Sequence, residues 1–577
     1  MTGQRSAYLL RLADAVLQPG FVGTAPPAWV RRRLAAGLGG VALFSRNIID
    51  AGQVAALTAA LRQENPDVIV AVDEEAGDVT RMESRTGSSR PGNLALGAVD
   101  DPDLTEAVAR DLGHELAAAG INLDYAPDAD VNSNADNPVI GVRSFGSEPA
   151  LVARHTAAWV RGLQSVGVGA CAKHFPGHGN TSVDSHHAAP TIPASRDDLF
   201  AVELAPFRAA VEAGVQAIMS AHLFVPAIDP TYPATLSHAI LTGVLRGDLG
   251  FDGLIVTDAI EMASVAKPYG LAGATVRALA AGADAICVGG EVADEETAVM
   301  LRDAIVDAVT GGTLTEARLV QAAERVWRLA RWTRGFAAQP ATTAAAATVG
   351  AVATACATLI AVPATGNGHG GVDGHGGVDG HGGLAGFGIV DRNGNGPSHG
   401  NGHGSGNGNG NGNGHGTGGN GGAPLGLAAA RRALRVSTDS SAAPLPLTSA
   451  PHVVEFVAPG SMAIGRETPW GVAEPLGGLL PGTTTVRLSA PDVPDAVRLG
   501  EVALAPATGR PLVLVVRDAH RHPWMANALR TLLHARPDAI VVEMGVPAVR
   551  SGQVYLATYG ASRANGQAAA ELLAGHG

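Results

Sequence analysis

Residues 167–193 of this chain read GVGACAKHFPGHGNTSVDSHHAAPTIP. Small and apolar residues fill the first six positions, which is typical of a buried strand. The loop that follows is rich in glycine and proline and carries six titratable side chains: Lys173, His174, His178, Asp184, His186 and His187. Because titratable groups gathered after a core strand are costly to keep for structure alone, this stretch indicates a chemical site.

Seven further short apolar runs resemble this strand, and amphipathic helical runs separate them. The eight predicted strands cover residues 16–21, 41–44, 68–73, 121–125, 167–173, 215–221, 254–258 and 285–288. Strand, crossover helix and strand in repetition predict a parallel sheet. Eight such units fit an α/β fold with an N-terminal (β/α)8 TIM-type barrel. A doubly wound open sheet is the alternative.

The composition changes after the predicted barrel, which we assign to residues 1–336. Residues 337–423 contain long Gly, Asn and His tracts that cannot bury enough apolar surface to fold, so they predict a flexible, low-complexity linker. Its histidines could bind metal ions weakly, but a solvated tether is the favoured interpretation. Residues 424–577 return to strand-like and helical runs, which predict a smaller C-terminal α/β sandwich domain.

The bulk properties limit the function. A chain of 577 residues is too long for one core, and its net charge of −13 without a basic stripe argues against a nucleic-acid partner. Its three cysteines, Cys171, Cys287 and Cys356, form no CxxC pair, so neither a disulfide framework nor a zinc ribbon is indicated. We find no secretory signal and no confident membrane span. We therefore expect a cytoplasmic enzyme without cofactor, metal or membrane partner, as a monomer or weak homo-oligomer.

The barrel prediction has a sharp consequence, because the active sites of such barrels lie at the carboxyl ends of the strands. Polar residues follow most of the predicted strands, and they are Arg46, Asn47, Asp73, Glu74, Glu75, Lys173, His174, His222 and Asp258. We expect the site to be assembled from members of this set.

The loop sequence KHFPGHGNTSVDSHHAAP closely resembles the signature of glycoside hydrolase family 3, in its β-N-acetylglucosaminidase branch. Other family landmarks have counterparts in the same order, namely VDEEAGDVTR, NPVIGVRSFG and a run that ends in VTDAIEM. The segment YLATYGASRANGQAAAELL resembles the second domain of two-domain members. The resemblance implies a retaining exo-β-N-acetylglucosaminidase, a type of β-N-acetylhexosaminidase. Its substrates would be peptidoglycan- or chitin-derived fragments, including muropeptides, that are produced during cell-wall recycling.

The resemblance also implies a role for individual residues. Asp258 would be the nucleophile that forms a glycosyl-aspartate intermediate. His186 would carry the proton of an acid/base dyad, and Asp184 would orient it. The residues that would bind the N-acetylglucosamine unit are Asp73, Arg81, Arg143, Lys173 and His174.

General chemistry agrees with these roles. Hydrolysis with retention needs an anionic nucleophile on one face of the sugar and a proton donor beside the leaving oxygen. Carboxylic acids are the usual donors, so a histidine is a departure, but a neighbouring carboxylate can fix its tautomer and tune its pKa. Asp184 and His186 are two positions apart, which places both side chains on one side of an extended segment. His187 is the competing candidate.

Three positions depart from the family pattern. Ala76 replaces a glycine, Asp78 replaces a basic residue, and Asn180 replaces an aspartate. None of these changes removes a catalytic group. They leave open how tightly the aglycone, or an anionic muropeptide, is held.

Three other functions remain as alternatives. A metal-dependent hydrolase could use His174 and His178 with other loop residues, but Pro176 and Gly177 break the helix that would place the two histidines on one face. A non-catalytic glycan-binding protein would require a lost nucleophile or dyad, and both are present in the sequence. A phosphorylase would use phosphate instead of water and would release N-acetylglucosamine 1-phosphate.

Overall fold

The structure, a computed structural model, describes residues 6–181, 190–337, 424–440, 445–458, 463–465, 467–493 and 495–576. These residues belong to one compact unit, in which we distinguish an N-terminal segment (residues 6–337) and a C-terminal segment (residues 424–576). The predicted linker lies almost wholly outside the described residues, and the domain boundaries at 336 and 424 stay predictions. Within the described residues, no helix combines the length and apolar character needed to cross a bilayer.

All eight strands predicted for the N-terminal segment are present. They are β1 (Leu17–Pro19), β2 (Gly40–Leu43), β3 (Ile69–Val72), β4 (Leu123–Asp124), β5 (Gly169–Phe175), β6 (Ala217–Ser220), β7 (Leu254–Thr257) and β8 (Ile286–Val288). Strands β2 to β7 pair in chain order and in parallel, β8 pairs in parallel with β1, and Ala285 bridges Val256 of β7. The order does not reverse as it does in a doubly wound sheet, so that alternative is wrong. The result is a curled parallel sheet within a mixed α/β fold.

Helices connect these strands, as the amphipathic runs between the predicted strands indicate. The α-helices are Ala7–Ala15, Ala28–Ala36, Ala51–Glu64, Asn93–Val99, Pro102–Ala118, Pro149–Gln164, Arg196–Asp198, Ala205–Glu212, Ala263–Tyr269, Leu271–Ala281, Glu295–Thr310 and Glu316–Ala337. Two of the connecting segments contain wider π-type turns, at Leu199–Glu203 and Ala239–Asp248.

The strands are buried on both faces, which explains their continuous apolar runs. In β3, Ile69 and Ala71 belong to a small cluster together with Cys171 and Cys287 from other strands. Val70 and Val72, on the opposite face of the same strand, belong to the large cluster that also contains the helix residues. Because side chains alternate along a strand, the sheet has an inner core and an outer core. Cys171 and Cys287 are buried and form no disulfide, and Cys356 lies outside the described residues.

The C-terminal segment forms a second six-stranded sheet in the order β11-β10-β12-β13-β14-β9. Its strands are β9 (Arg435–Thr438), β10 (His452–Phe456), β11 (Thr484–Leu488), β12 (Leu512–Val516), β13 (Ile540–Glu543) and β14 (Val554–Ala557). Its α-helices are Leu425–Ala433, Ala473–Leu479, Ala496–Leu499, Pro523–Ala535 and Arg563–Ala574, and a π-type turn covers Gly500–Leu504. Five strands are parallel, whereas β9 is an antiparallel edge strand on β14. The sequence analysis did not foresee β9.

Candidate active site

The charged residues predicted at the strand ends meet at one edge of the curled sheet. Asp73 follows β3, Lys173 and His174 lie in the second half of β5, and Asp258 follows β7. Since parallel strands present their carboxyl ends at the same edge, these side chains converge. The fold therefore places these residues at one edge of the sheet, and their role in an active site stays a prediction.

A buried ion-pair network forms the base of this site. The ammonium group of Lys173 contacts Asp73 and lies 2.6 Å from Oε1 of Glu75. Arg143 donates to both carboxylate oxygens of Glu75, at 2.9 and 2.6 Å. Arg81 donates from Nη2 to Oδ2 of Asp73 at 3.0 Å. The structure thus brings together four predicted substrate-binding residues around Glu75, which we had noted only as a strand-end residue.

The electrostatics of this network keep its acids ionised. Burial raises the pKa of Asp73, but Lys173 and Arg81 outweigh that effect and hold the pKa well below its usual range. Burial likewise acts against the charged form of Glu75, but Arg143 and Lys173 lower the pKa of Glu75. For Lys173 the same carboxylates outweigh burial, and its pKa is raised. The Asp73 side chain is 26% exposed and the Lys173 side chain only 2%, so Asp73 is the member that faces outward.

A second cluster lies beside the first, around His174. Its Nδ1 lies 2.8 Å from Oδ2 of Asp130, and Oδ1 of the same carboxylate accepts the backbone N–H groups of His174 and His178, at 3.2 and 2.6 Å. The Nε2 atom of His174 lies 3.4 Å from Nη2 of Arg143, which joins the two clusters. Burial opposes the ionised form of Asp130, but His174 reverses that effect and lowers its pKa. Burial lowers the pKa of His178 to about 4.

Asp128, Asp130 and His174 are the one group of described residues whose ligand-type atoms lie close enough to hold a metal ion, all within 4.8 Å of one another. The contacts of these three residues favour ion pairs and hydrogen bonds over a bound metal ion. Nδ1 of His174 is already bonded to Asp130, and Nε of Arg143 lies 3.8 Å from Oδ2 of Asp128. Burial, together with the charge of Asp130, raises the pKa of Asp128 well above its usual value. A fixed guanidinium beside a carboxyl that favours its proton is a poor cation site.

Asp258 is half-buried at the end of β7. Its backbone N–H donates to the carbonyl of Ser220 at 3.0 Å, and its Oδ1 accepts the N–H of Ala259 at 2.8 Å. The neighbouring strand-end residue His222 is also anchored here, with Nε2 3.0 Å from the carbonyl oxygen of Ala259. These contacts fix the backbone that carries the Asp258 carboxylate.

Asp184, His186 and the competing His187 lie outside the described residues, and their roles stay predictions.

Arg46 and Asn47, which also follow a strand, bind the carbonyl oxygens of Phe21 and of neighbouring loop residues. These two residues connect loops and are not part of the ion-pair network.

Three acidic residues near the site were missed as candidates. Asp128 and Asp130 follow β4, and the strand-end rule that found Asp73 would have found them as well. Glu203 ends the π-type turn Leu199–Glu203, and a Cβ atom added to Gly177 would lie only 2.7 Å from its Oε2. That oxygen is buried without a hydrogen-bond partner. Burial, with a contribution from Asp130, raises the pKa of Glu203 to about 8.

The C-terminal segment also reaches the site. The carbonyl oxygen of Ala463 accepts a hydrogen bond at 3.0 Å from Nη1 of Arg81, whose Nη2 donates to Asp73. Asp78, a position where the sequence departs from the family pattern, contacts Arg517 of the C-terminal segment. The structure therefore gives Asp78 a partner that no local pattern could reveal.

Comparison with known proteins gives consistent results. The model of the glycosyl hydrolase family 3 N-terminal domain matches residues 27–329. The chain is similar to Beta-hexosaminidase A from Pseudoalteromonas piscicida, with 37% identity over 268 residues, which are 43% of this chain and 45% of that protein. It is also 38% identical over 255 residues to a Beta-hexosaminidase from Alkalilimnicola ehrlichii, covering 43% of this chain and 73% of the relative. This chain thus spans less than half of the first relative and nearly three quarters of the second.

Among solved structures, the chain resembles a glycoside hydrolase family 3 beta-N-acetylglucosaminidase from Paenibacillus sp. str. FPU-7. The TM-score is 0.77 at 30% sequence identity, and the match covers 98% of this chain and 97% of that one. The similarity therefore extends over both segments described above.

Proposed function

Because the chain belongs to glycoside hydrolase family 3, we propose that it is a retaining exo-β-N-acetylglucosaminidase. The observation that carries the proposal is the network of Asp73, Lys173, Glu75 and Arg143 at the strand ends that also present Asp258. Relatives named beta-hexosaminidase support the same class of substrate.

In the proposed reaction, Asp258 is the nucleophile. Its carboxylate oxygen attacks the anomeric carbon while the bond to the glycosidic oxygen breaks and His186 gives that oxygen its proton. Water then attacks the same carbon, returns a proton to His186 and releases Asp258, so the configuration is retained. Asp184 orients His186 in both steps. The well-anchored backbone around Asp258 supports its assignment as the nucleophile.

The proposed sugar site is built around the carboxylate of Asp73. Its low pKa keeps it an acceptor for sugar hydroxyl groups, and it is the most exposed member of the network. Lys173 and Arg143 are largely used by Glu75 and Asp73, so in this proposal they orient those acids as much as they contact sugar. Arg81 and His174, both buried, supply the remaining polar groups of the proposed sugar site.

Several finer points belong to the same proposal. The curled sheet is interpreted as a (β/α)8 barrel, with the C-terminal segment as a separate α/β domain after a low-complexity linker. The natural substrates are taken to be peptidoglycan- or chitin-derived fragments in the cytoplasm, which rests on the sequence resemblance. The two-segment similarity to the Paenibacillus enzyme supports the two-domain arrangement.

The test is product analysis with a chromogenic β-N-acetylglucosaminide and the matching β-glucoside, each with and without phosphate. We expect hydrolysis of the N-acetylglucosaminide, with free N-acetylglucosamine as the product under both conditions. A sugar 1-phosphate that forms only with phosphate would identify a phosphorylase instead, and preference for the glucoside would contradict the substrate assignment.

Two variants test the residues. Asp258→Ala should abolish turnover of the aryl substrate, and near wild-type turnover would remove Asp258 from the mechanism. His186→Ala should reduce turnover of natural fragments far more than turnover of substrates with an activated phenol, which need little protonation. Equal losses on both substrates would contradict the role of His186 as the acid.

A further inference from the structure

A tight turn at residues 76–79 connects the ion-pair network to the C-terminal segment. Ala76 and Gly77 both have φ near +60°, and the N–H of Glu75 donates to the carbonyl of Val79 at 3.1 Å. A Cβ atom on Gly77 would lie 2.3 Å from Cα of Gly92, so the turn packs directly against backbone. Glu75 immediately precedes this turn and Arg81 follows it. The position of the turn therefore affects the placement of both residues.

Asp78 is the tip of this turn, and its side chain is 2% exposed. It contacts the guanidinium of Arg517, and its Oδ1 accepts the backbone N–H of Ala561 at 2.7 Å. Arg517 directly follows β12, and its guanidinium carbon lies 5.9 Å from the ring centre of Trp470. Every one of these partners belongs to the C-terminal segment.

Arg81 depends on both segments as well. One branch of its guanidinium binds Asp73 and the other binds the carbonyl oxygen of Ala463. A small rotation of the C-terminal segment about the turn would therefore pull one branch away from its acceptor. Because a guanidinium fork has fixed geometry, the contact to Asp73 would change too.

From these contacts we infer that Asp78 and Arg517 are positioning residues for the substrate site. The buried pair holds turn 76–79 against the C-terminal segment, so that Arg81 keeps its orientation on Asp73. A buried ion pair often adds little net stability compared with apolar packing, and in some proteins such a pair fixes one arrangement of the fold, which is the role inferred for Asp78 and Arg517. The inference rests on the proposed function, since it assigns a consequence to the sugar site.

The experiment compares steady-state kinetics of wild type, Asp78→Asn and Arg517→Met on a chromogenic N-acetylglucosaminide. Each variant should raise KM by about tenfold, the equivalent of losing one modest polar interaction, while kcat changes less than threefold. The matched control is Arg432→Met, which removes a half-exposed contact of 2.8 Å to Asp101 between the same two segments. The control should keep wild-type KM.

A second measurement is independent of catalysis. Hydrogen exchange of the peptide that contains residues 75–83 should become faster in Asp78→Asn and stay unchanged in Arg432→Met. Arg517→Lys, which keeps the charge, should restore part of both the KM and the exchange protection.

The possible results distinguish failure of the positioning role from failure of the proposed function. Wild-type KM in both Asp78→Asn and Arg517→Met, or a loss confined to kcat, would overturn the positioning role. Equal exchange in wild type and Asp78→Asn would also overturn it, even if the wild-type protein had no activity on N-acetylglucosaminides. An inactive wild type with faster exchange in the variant would reject the proposed function and keep the positioning contact.

Discussion

Replacing Glu203 by glutamine should make the stability of this protein less sensitive to alkaline pH. Glu203 is 1% exposed, and its Oε2 is buried without a hydrogen-bond partner. Burial and the nearby charge of Asp130 raise its pKa from 4.5 to about 8. The folded protein therefore keeps a proton on this carboxyl over a pH range in which the unfolded chain has already released it.

The sign and size of the effect follow from proton linkage. Between the two pKa values the folded state binds more protons than the unfolded state, so the free energy of unfolding falls as pH rises. Each pKa unit is worth 1.36 kcal/mol, so Glu203 should cost the folded protein about 3 to 4 kcal/mol more at pH 8 than at pH 5. Glutamine cannot ionise, so the variant should gain this amount relative to wild type over the same interval.

The assay is urea denaturation of the full chain at pH 5, 6.5 and 8, for wild type and Glu203→Gln. Glu324→Gln, an exposed residue on the helix Glu316–Ala337, is the matched control and should follow wild type at each pH. The comparison of variants removes the contributions of Glu74 and Glu543, whose pKa values burial also raises, to about 7 and about 8. A difference between Glu203→Gln and wild type that is the same at pH 5 and pH 8 would refute the argument.

Three further outcomes are expected. Lys173→Met removes the cation that lies between the buried Glu75 and the partly exposed Asp73. It should lower the free energy of unfolding by about 3 kcal/mol or more and reduce kcat/KM at least tenfold, as measured by denaturation and kinetics. Wild-type stability would contradict the network. Burial raises the pKa of the Cys171 and Cys287 thiols, so a thiol reagent should label them only after unfolding, as mass spectrometry of labelled peptides would report. Dialysis against a chelator should leave the hydrolysis rate unchanged, and loss of activity restored by zinc would revive the metal alternative.

The sequence predicted the N-terminal sheet well because its signals are local. A run such as VIVAV (residues 68–72) is buried on both faces and is followed directly by polar Asp73. The end of the apolar run therefore marks the end of the strand. The same rule located Lys173, His174 and Asp258. It also noted Glu75, but only the structure shows that this residue is the shared partner of Lys173 and Arg143.

What the sequence left open depends on contacts between distant residues. Asp78 stood out only as a departure from a family pattern, because its partner Arg517 lies far along the chain. Glu203 looked like one more polar position on an amphipathic helix, and its burial depends on how the turn at Gly177 packs over it. The short strand β9 has mostly exposed side chains and follows a helix directly, so no hydrophobic alternation marks it.

That edge strand has a consequence for the order in which the protein can be assembled during synthesis. β9 enters the growing chain before any other strand of its sheet, yet β14, its partner among the described residues, is the last to be made. While β10 to β13 are being translated, β9 therefore has no partner strand. Unpaired strand edges can pair with other chains. Arg435 at the start of β9 is exposed in the folded protein, and a charged side chain on an edge strand discourages pairing with other chains before β14 is made.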